Sequence, residues 1–282
     1  LIGVLILIVL FLIYNTNILI KDKFQHISCP TNDDGTPRDN ITLVSNQYNI
    51  YINKSNGWEY MKNSAFENCS NLRSITFQPH SNENNYLGRI GFDAFRNSGL
   101  TSITLPNSVT IISTSCFENC QFLTSVILPN NLLFKKLEMS MFRNCGLKSI
   151  TIPNSITSIS YNQFMYCSSL TQILFQERSQ LKKILYDFCY LCTALKFIEI
   201  PNTVEYIDRY CFYECTSITS IRFQEESSLT HIGSLCFAFC ANLSIINLPN
   251  VEHLGSTAFS NCKKLIEVGF LNNTNLTNLG ND

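Results

Sequence analysis

Residues 99–120, "GLTSITLPNSVTIISTSCFENC", return at 146–167 as "GLKSITIPNSITSISYNQFMYC", with thirteen of twenty-two positions identical across an offset of 47. The offset covers two shorter units. A Phe followed three residues later by Cys marks each one: Phe66/Cys69, Phe117/Cys120, Phe142/Cys145, Phe164/Cys167, Phe212/Cys215, Phe237/Cys240 and Phe259/Cys262. Phe95/Ser98 and Cys189/Cys192 are variants, with Phe188 one place early in the latter. Successive spacings of the Phe position are 29, 22, 25, 22, 25, 23, 25 and 22, giving nine units and the start of a tenth at Leu276. A unit this short cannot bury its own apolar face, so its neighbours must cover it. The chain is therefore read as a stack of coils.

Within each unit the Cys is followed by a phrase such as "LTSITL", "LKSITI", "LTQILF" or "ITSIRF". Its end alternates apolar with polar, the period of a strand with one face buried. Pro106, Pro129, Pro153, Pro201 and Pro249 follow such strands and end them, because proline has no N–H to add to a ladder. Rungs spaced by roughly 4.8 Å make nine units a rod of about 40 Å. Strands in register leave the longer linkers, such as Phe175 to Ile184 and Phe223 to Ile232, to bulge outward along one edge.

The recurring Phe-x-x-Cys and Ile-Pro-Asn-Ser elements, in fixed order over 58–282, resemble the BspA-like type of leucine-rich repeat. The resemblance implies an α/β, β-rich solenoid with one short parallel strand per repeat of 22–25 residues. It also implies a non-enzymatic surface protein of the adhesin or surface-antigen kind, binding host proteins. Ser98 for Cys, Cys189 for Phe and the absent Pro in the "FQE" units depart from the pattern and put local packing in question.

A net charge of -1 gives little support to nucleic-acid binding. Charged residues are 15% of the chain against roughly 25% in ordinary soluble domains, so Asn, Ser and Thr supply the polarity. Such a neutral, hydrogen-bonding surface suits an extracellular face.

The 13 cysteines invite a chemical reading that the repeat removes. Eight hold one repeat position, at 69, 120, 145, 167, 192, 215, 240 and 262; Cys116, Cys211 and Cys236 precede their Phe, Cys189 replaces it, and Cys29 stands alone. The expectation is buried free thiols acting as small hydrophobes. Cys211/Cys215 with Cys236/Cys240 has the form of a four-thiolate zinc set, and Cys189/Cys192 that of a redox pair, yet repetition accounts for both. His231 and His253 occupy equivalent places and are expected to stack as solvated turn residues without a third ligand. No metal, cofactor or small-molecule substrate is expected, and no acid–base or nucleophile set can be assembled. Of the glycosylation triplets, Asn68 and Asn242 fall at tight turns and are expected to be inaccessible. Asn40, Asn53, Asn272 and Asn275 are read as loop acceptors.

Residues 1–20, beginning "LIGVLILIVLFLI", carry no charge and are read as a signal anchor or transmembrane segment with more sequence upstream. Residues 21–57, rich in turn formers but holding "YNIYINKSNG", are read as a spacer and N-terminal cap, and 58–282 as a solenoid continuing beyond the C-terminus. Outward strand positions Thr76, Thr104, Ile127, Thr151, Leu174, Glu199, Arg222 and Asn247, with Phe197 and Ile245, form the expected protein-binding column. Glu199 and Arg222 are expected to pair across adjacent rungs. The functional expectation is a protein-binding solenoid at the cell surface, anchored in the membrane by residues 1–20 and facing an extracellular or host protein. The alternatives are an intracellular scaffold or regulator, or the repeat region of a larger protein with its functional domain elsewhere.

Overall fold

The structure, a computed structural model, describes residues 29, 40–43, 50–53, 58–77, 86–271 and 276–280. The apolar segment 1–20 lies outside them, as do Asn272 and Asn275. Among the described residues no helix is long and apolar enough to cross a membrane. The chain coils into a β-solenoid whose rungs, numbered here one to nine from Phe66 to Phe259, each present three faces.

The first is a long-strand face, where the "SITL"-type phrases pair in parallel: Ser149–Ile152, Gln172–Phe175, Phe197–Ile200 and Ser220–Phe223 form one four-stranded run. The second is a short-strand face, in which two-residue strands from Lys136–Leu137 to Asn278–Leu279 form a seven-stranded parallel sheet. The single strand per repeat expected from the sequence is thus two. The second strand was hidden because only its one buried anchor, such as Ile159 or Ile184, carries an apolar signal.

The third face is the Phe-x-x-Cys turn, and it removes the α component of the expected class: no described residue is helical. Each turn carries two residues in left-handed backbone, for example Ser64 (φ 53°) and Asn68 (φ 62°), or Ser115 (φ 54°) and Asn119 (φ 60°). These reversals let three N–H groups per turn point along the stack. Phe117 N donates to Met141 O at 3.0 Å, and the flanking Ser115 and Asn119 donate to Met139 and Arg143. A helix would spend those donors within its own rung, whereas this turn joins rung to rung.

Stacking across these faces buries a continuous core. Nine Phe side chains, Phe134 and Phe188 among them, are wholly inaccessible. Rings at the repeat position stack nearly parallel in rungs one to five, with centroids 5.2–5.8 Å apart. At rung six the displaced Phe188 turns edge-on to Phe164 (79°) and Phe212 (77°), and parallel stacking resumes at Phe237 (8° from Phe212). A ring entering one residue early keeps the column filled by rotating. The departure at Cys189 is absorbed without a gap.

The long linkers do bulge: Glu177, Arg178, Glu225 and Glu226 are exposed. Their glutamines are put to use, since Gln176 Oε1 and Gln224 Oε1 accept the N–H groups of Asn154 and Asn202, both at 3.1 Å. At the N-terminal end Ile50–Asn53 forms the strand expected in "YNIYINKSNG" and runs antiparallel to Trp58–Met61. Asn40–Leu43 adds one more parallel strand beside Ser74–Phe77. Asn40 and Asn53, read as loop residues, are therefore strand residues.

Candidate functional site

Three exposed surfaces and one buried column could carry chemistry. The buried column is the cysteines. Ten of the eleven free thiols are buried and Cys262 is partly so. Their side chains have a directional task that a small hydrophobe does not: each repeat-position Sγ from Cys120 to Cys262 donates to a main-chain carbonyl of the rung before it. Cys120 reaches Phe95 O at 2.9 Å, Cys167 Phe142 O at 3.0 Å and Cys240 Phe212 O at 3.2 Å.

In the first rung Cys69 instead forms a disulfide with Cys29, Cα atoms 5.5 Å apart, which corrects the expectation that Cys29 stands alone and Cys69 is a free thiol. Burial pushes the thiols of Cys116, Cys145, Cys189 and Cys215 well above the ordinary thiol value, and that of Cys120 to about 11. At neutral pH they are thiols and poor nucleophiles. Among the described residues no three His, Cys, Asp or Glu side chains are placed so that they could hold a metal ion.

On the short-strand face His231 and His253 stack, centroids 4.3 Å apart. They are register partners in strands, half-buried, and not solvated turn residues. Tyr206 precedes them in the same column, beneath Lys183.

On the long-strand face Thr76, Thr104, Ile127, Thr151, Leu174, Glu199, Arg222 and Asn247 are all exposed, as is Ile245, while Phe197 is half-buried. Ile127 is 59% exposed. Glu199 and Arg222 are register partners but form no ion pair; the Arg222 guanidinium lies over the Phe197 ring at 5.6 Å instead.

The turn face was not singled out from the sequence, and it changes character halfway along. In rungs one to four the residue after the Phe alternates Glu67, Arg96, Glu118, Arg143. These form a charge ladder, with Arg96 3.9 Å from Glu67 and 3.8 Å from Glu118, and Arg143 2.7 Å from Glu118. The next residue is Asn in all four rungs, in left-handed backbone each time. Asn97 and Asn144 donate to Asn68 and Asn119 at 2.8 and 2.9 Å. Asn68, expected to be inaccessible, is exposed because its side chain leaves the turn outward; Asn242 is half-buried.

In rungs five to eight both ladders end, and aromatic residues take half of their positions. Tyr161 and Tyr186 stack at 4.6 Å and Tyr190 and Tyr213 at 4.9 Å; Tyr166, Tyr210 and Phe239 complete the set. The left-handed positions that held Asn now hold Tyr166 (φ 65°), Leu191 (φ 60°), Glu214 (φ 56°) and Phe239 (φ 61°). Asn tolerates this backbone by bonding locally, whereas a bulky side chain there costs roughly 1–2 kcal/mol. Burial raises the Tyr190 phenol above its usual value, helped by the adjacent Tyr213, Tyr166, Asp187 and Glu214. Burial likewise raises the Asp187 carboxyl. A signal was present in the sequence, in the aromatic residues that gather within three positions of the Phe site from Tyr161 to Phe239. It shows only when units are aligned on the turn and not on the strand.

Several solved structures are similar to this one. The pneumococcal vaccine antigen PcpA aligns over 89% of this chain and 68% of its own, at 20% identity and a TM-score of 0.53. The T. pallidum leucine-rich repeat protein aligns over 80% and 91%, at 20% identity and a TM-score of 0.50. A leucine-rich repeat protein from Bacteroides ovatus is 24% identical over 86% of this chain and 74% of its own, with a TM-score of 0.45. No curated protein matches the sequence significantly. Residues 88–187 and 182–282 match the family described as the BspA type leucine-rich repeat region, in six copies. On that match, and on the Phe, Cys and Pro-Asn-Ser columns that carry it, this chain belongs to the BspA-type leucine-rich-repeat family.

Proposed function

We propose that the protein is a non-enzymatic, protein-binding solenoid displayed at the cell surface, and that the tyrosine-rich turn face of rungs five to eight is its docking surface. One observation carries the reading. Tyr166, Leu191 and Phe239 occupy left-handed backbone that Asn fills without strain in rungs one to four, and their side chains point away from the core. Strain kept at a surface position is a mark of function. Tyr is also a residue type enriched where interface energy concentrates, because it offers large, rigid area with a hydrogen-bonding end. The leucine-rich-repeat fold and a fold relative named as a vaccine antigen support display and protein binding. Membrane attachment through residues 1–20 is part of the same proposal.

The long-strand column is a second reading, favoured by the exposed Ile127, Leu174 and Ile245. Binding of the full chain to a panel of purified extracellular-matrix and serum proteins, followed by biolayer interferometry, separates the two. Combined Tyr190→Ser, Tyr213→Ser and Phe239→Asn changes are expected to weaken binding by about thirtyfold, roughly 2 kcal/mol. Ile127→Asp with Leu174→Asp is expected to leave it unchanged. The reverse pattern moves docking to the strand face, and no ligand across the panel counts against protein binding. Cleavage by protease added to intact cells tests display, and a protected pool would favour the intracellular scaffold.

A further inference from the structure

Where the turn face meets the long-strand face, the chain rounds a corner between the repeat Cys and the strand. Rungs two and four are one residue shorter here than the others, and both place glycine at the bend, Gly99 and Gly146. A Cβ on Gly99 would lie 1.9 Å from the Ser70 carbonyl oxygen, and one on Gly146 2.1 Å from that of Gln121. Only glycine lets the shortened corner close against the rung before it. Two recesses open along these drawn-in corners, of about 410 and 490 Å³, and they share Asn119 and Asn144. The depression runs from Ser70 in rung one to Thr193 in rung six, five rung steps or about 24 Å.

Its lining has a consistent chemistry. Phe122 projects between the two short corners and is 63% exposed. Arg73 reaches across the missing residue of rung two, donates to Ser70 O (2.6 Å) and Gly99 O (3.2 Å), and lies over the Phe122 ring at 5.7 Å. The same arrangement recurs at the far end, with Arg143 over Tyr166 at 5.3 Å. The aromatic platforms are thus held by guanidinium groups whose own bonds are satisfied.

Between them the asparagine ladder breaks. No bond joins Asn97 to Asn119, so Asn97 Oδ1 and Asn119 Nδ2 have no partner among the described residues, an acceptor and a donor at one recess. No carboxylate lines either recess, and the groove's two guanidinium groups are engaged: Arg143 is paired with Glu118 at 2.7 Å, and Arg73 is committed to the Ser70 and Gly99 carbonyls.

We infer that this corner groove binds a neutral oligosaccharide, a ligand class that the sequence reading leaves out. Sugar hydroxyls both donate and accept, as unpaired amides do. The C–H face of a pyranose is weakly positive and rests on the negative face of an aromatic ring. Phe122 in rung three and Tyr166 in rung five stand two rung steps apart, roughly 10 Å, a distance that two pyranoses of an extended chain span. An anionic ligand would need a cation not already engaged by the protein, and a peptide would need contiguous apolar pockets, whereas Phe122, Tyr166 and Leu191 are set among amides and hydroxyls. The groove shares Tyr166 and Leu191 with the docking face proposed above but not Tyr190, Tyr213 or Phe239, so variants at Phe122 and at Tyr213 tell the two readings apart.

Calorimetric titration of the full chain with cello-, chito-, manno- and malto-oligosaccharides, with polygalacturonate as the acidic comparator, tests the inference. At least one neutral oligosaccharide is expected to bind. Affinity should fall about tenfold or more in Phe122→Ala and in Asn119→Gly, which keeps the left-handed backbone available. It should hold in Tyr213→Ser. Unchanged thermal midpoints for Phe122→Ala, an exposed position, show that folding is intact. Absence of binding across the neutral set, binding of the polyanion alone, affinity indifferent to both groove variants, or Phe122-dependent binding of a protein with no sugar bound would each overturn it.

Discussion

Rungs one to four and rungs five to eight are built on the same interior and dressed differently outside. Inside, both halves stack a buried Phe on its neighbour and hang a thiol from the preceding rung's carbonyl. Outside, the first half covers its turns with alternating Glu and Arg and with Asn suited to the backbone. The second half covers them with Tyr, Leu and Phe in a backbone they fill at a cost. Solenoid stability comes from what each rung shares with the next, so the core must repeat while the surface need not. That change of surface chemistry on an unchanged frame, made against local backbone preference, is the ground for placing the proposed docking surface on the second half.

The largest test of this contrast asks whether the interiors are equivalent. Phe117→Ala in the first half and Phe188→Ala in the second each remove a wholly buried ring. Each should lower unfolding free energy by about 3–5 kcal/mol in denaturant titration. A cost several-fold smaller at Phe188, whose ring sits edge-on to both neighbours, would show that the halves differ inside as well.

A smaller effect belongs to the first half alone. Glu118 is 8% exposed and lies between Arg96 and Arg143. Glu118→Gln, which leaves two guanidinium groups without their shared anion, should destabilise by about 1–3 kcal/mol. The loss should shrink modestly at high salt, since the two guanidinium groups are partly exposed while the carboxylate between them is not. Equal loss at all ionic strengths would mean that packing, not charge, holds the ladder.

The smallest effect has the opposite sign and belongs to the second half. Leu191→Asn and Phe239→Asn restore the residue that rungs one to four use, and each should stabilise the fold by about 1 kcal/mol. The same variants should bind the protein ligand more weakly. Stabilisation without any loss of binding would separate the strain from function.

The repeat made the buried Phe and Cys columns legible, since a period of 22 to 29 residues leaves stacked coils as the one way to cover them. The outward strand column was legible for the same reason, through its alternation. Other features were not. Nothing in the position of Cys29 announced its bond to Cys69, 40 residues further along the chain. The second strand of each rung carries one apolar anchor, too few to show a period. The corner groove arises from single-residue shortenings at Gly99 and Gly146, which look like noise in an alignment of units. Gln163 holds the core position that Met141 and Cys211 hold in other rungs, with its amide wholly buried and unpartnered among the described residues, a departure no polarity pattern anticipates.

From the sequence by itself came the inner surface: which side chains repeat, at what interval, and hence which must be hidden from water. The tertiary structure alone decided the outer one. Side chains 22 to 29 positions apart become neighbours only once the pitch of the coil is set. Whether Arg73 meets Phe122 or Asn97 misses Asn119 depends on one residue more or less at a bend. Burial is a property each unit declares for itself, whereas adjacency across rungs belongs to the stack.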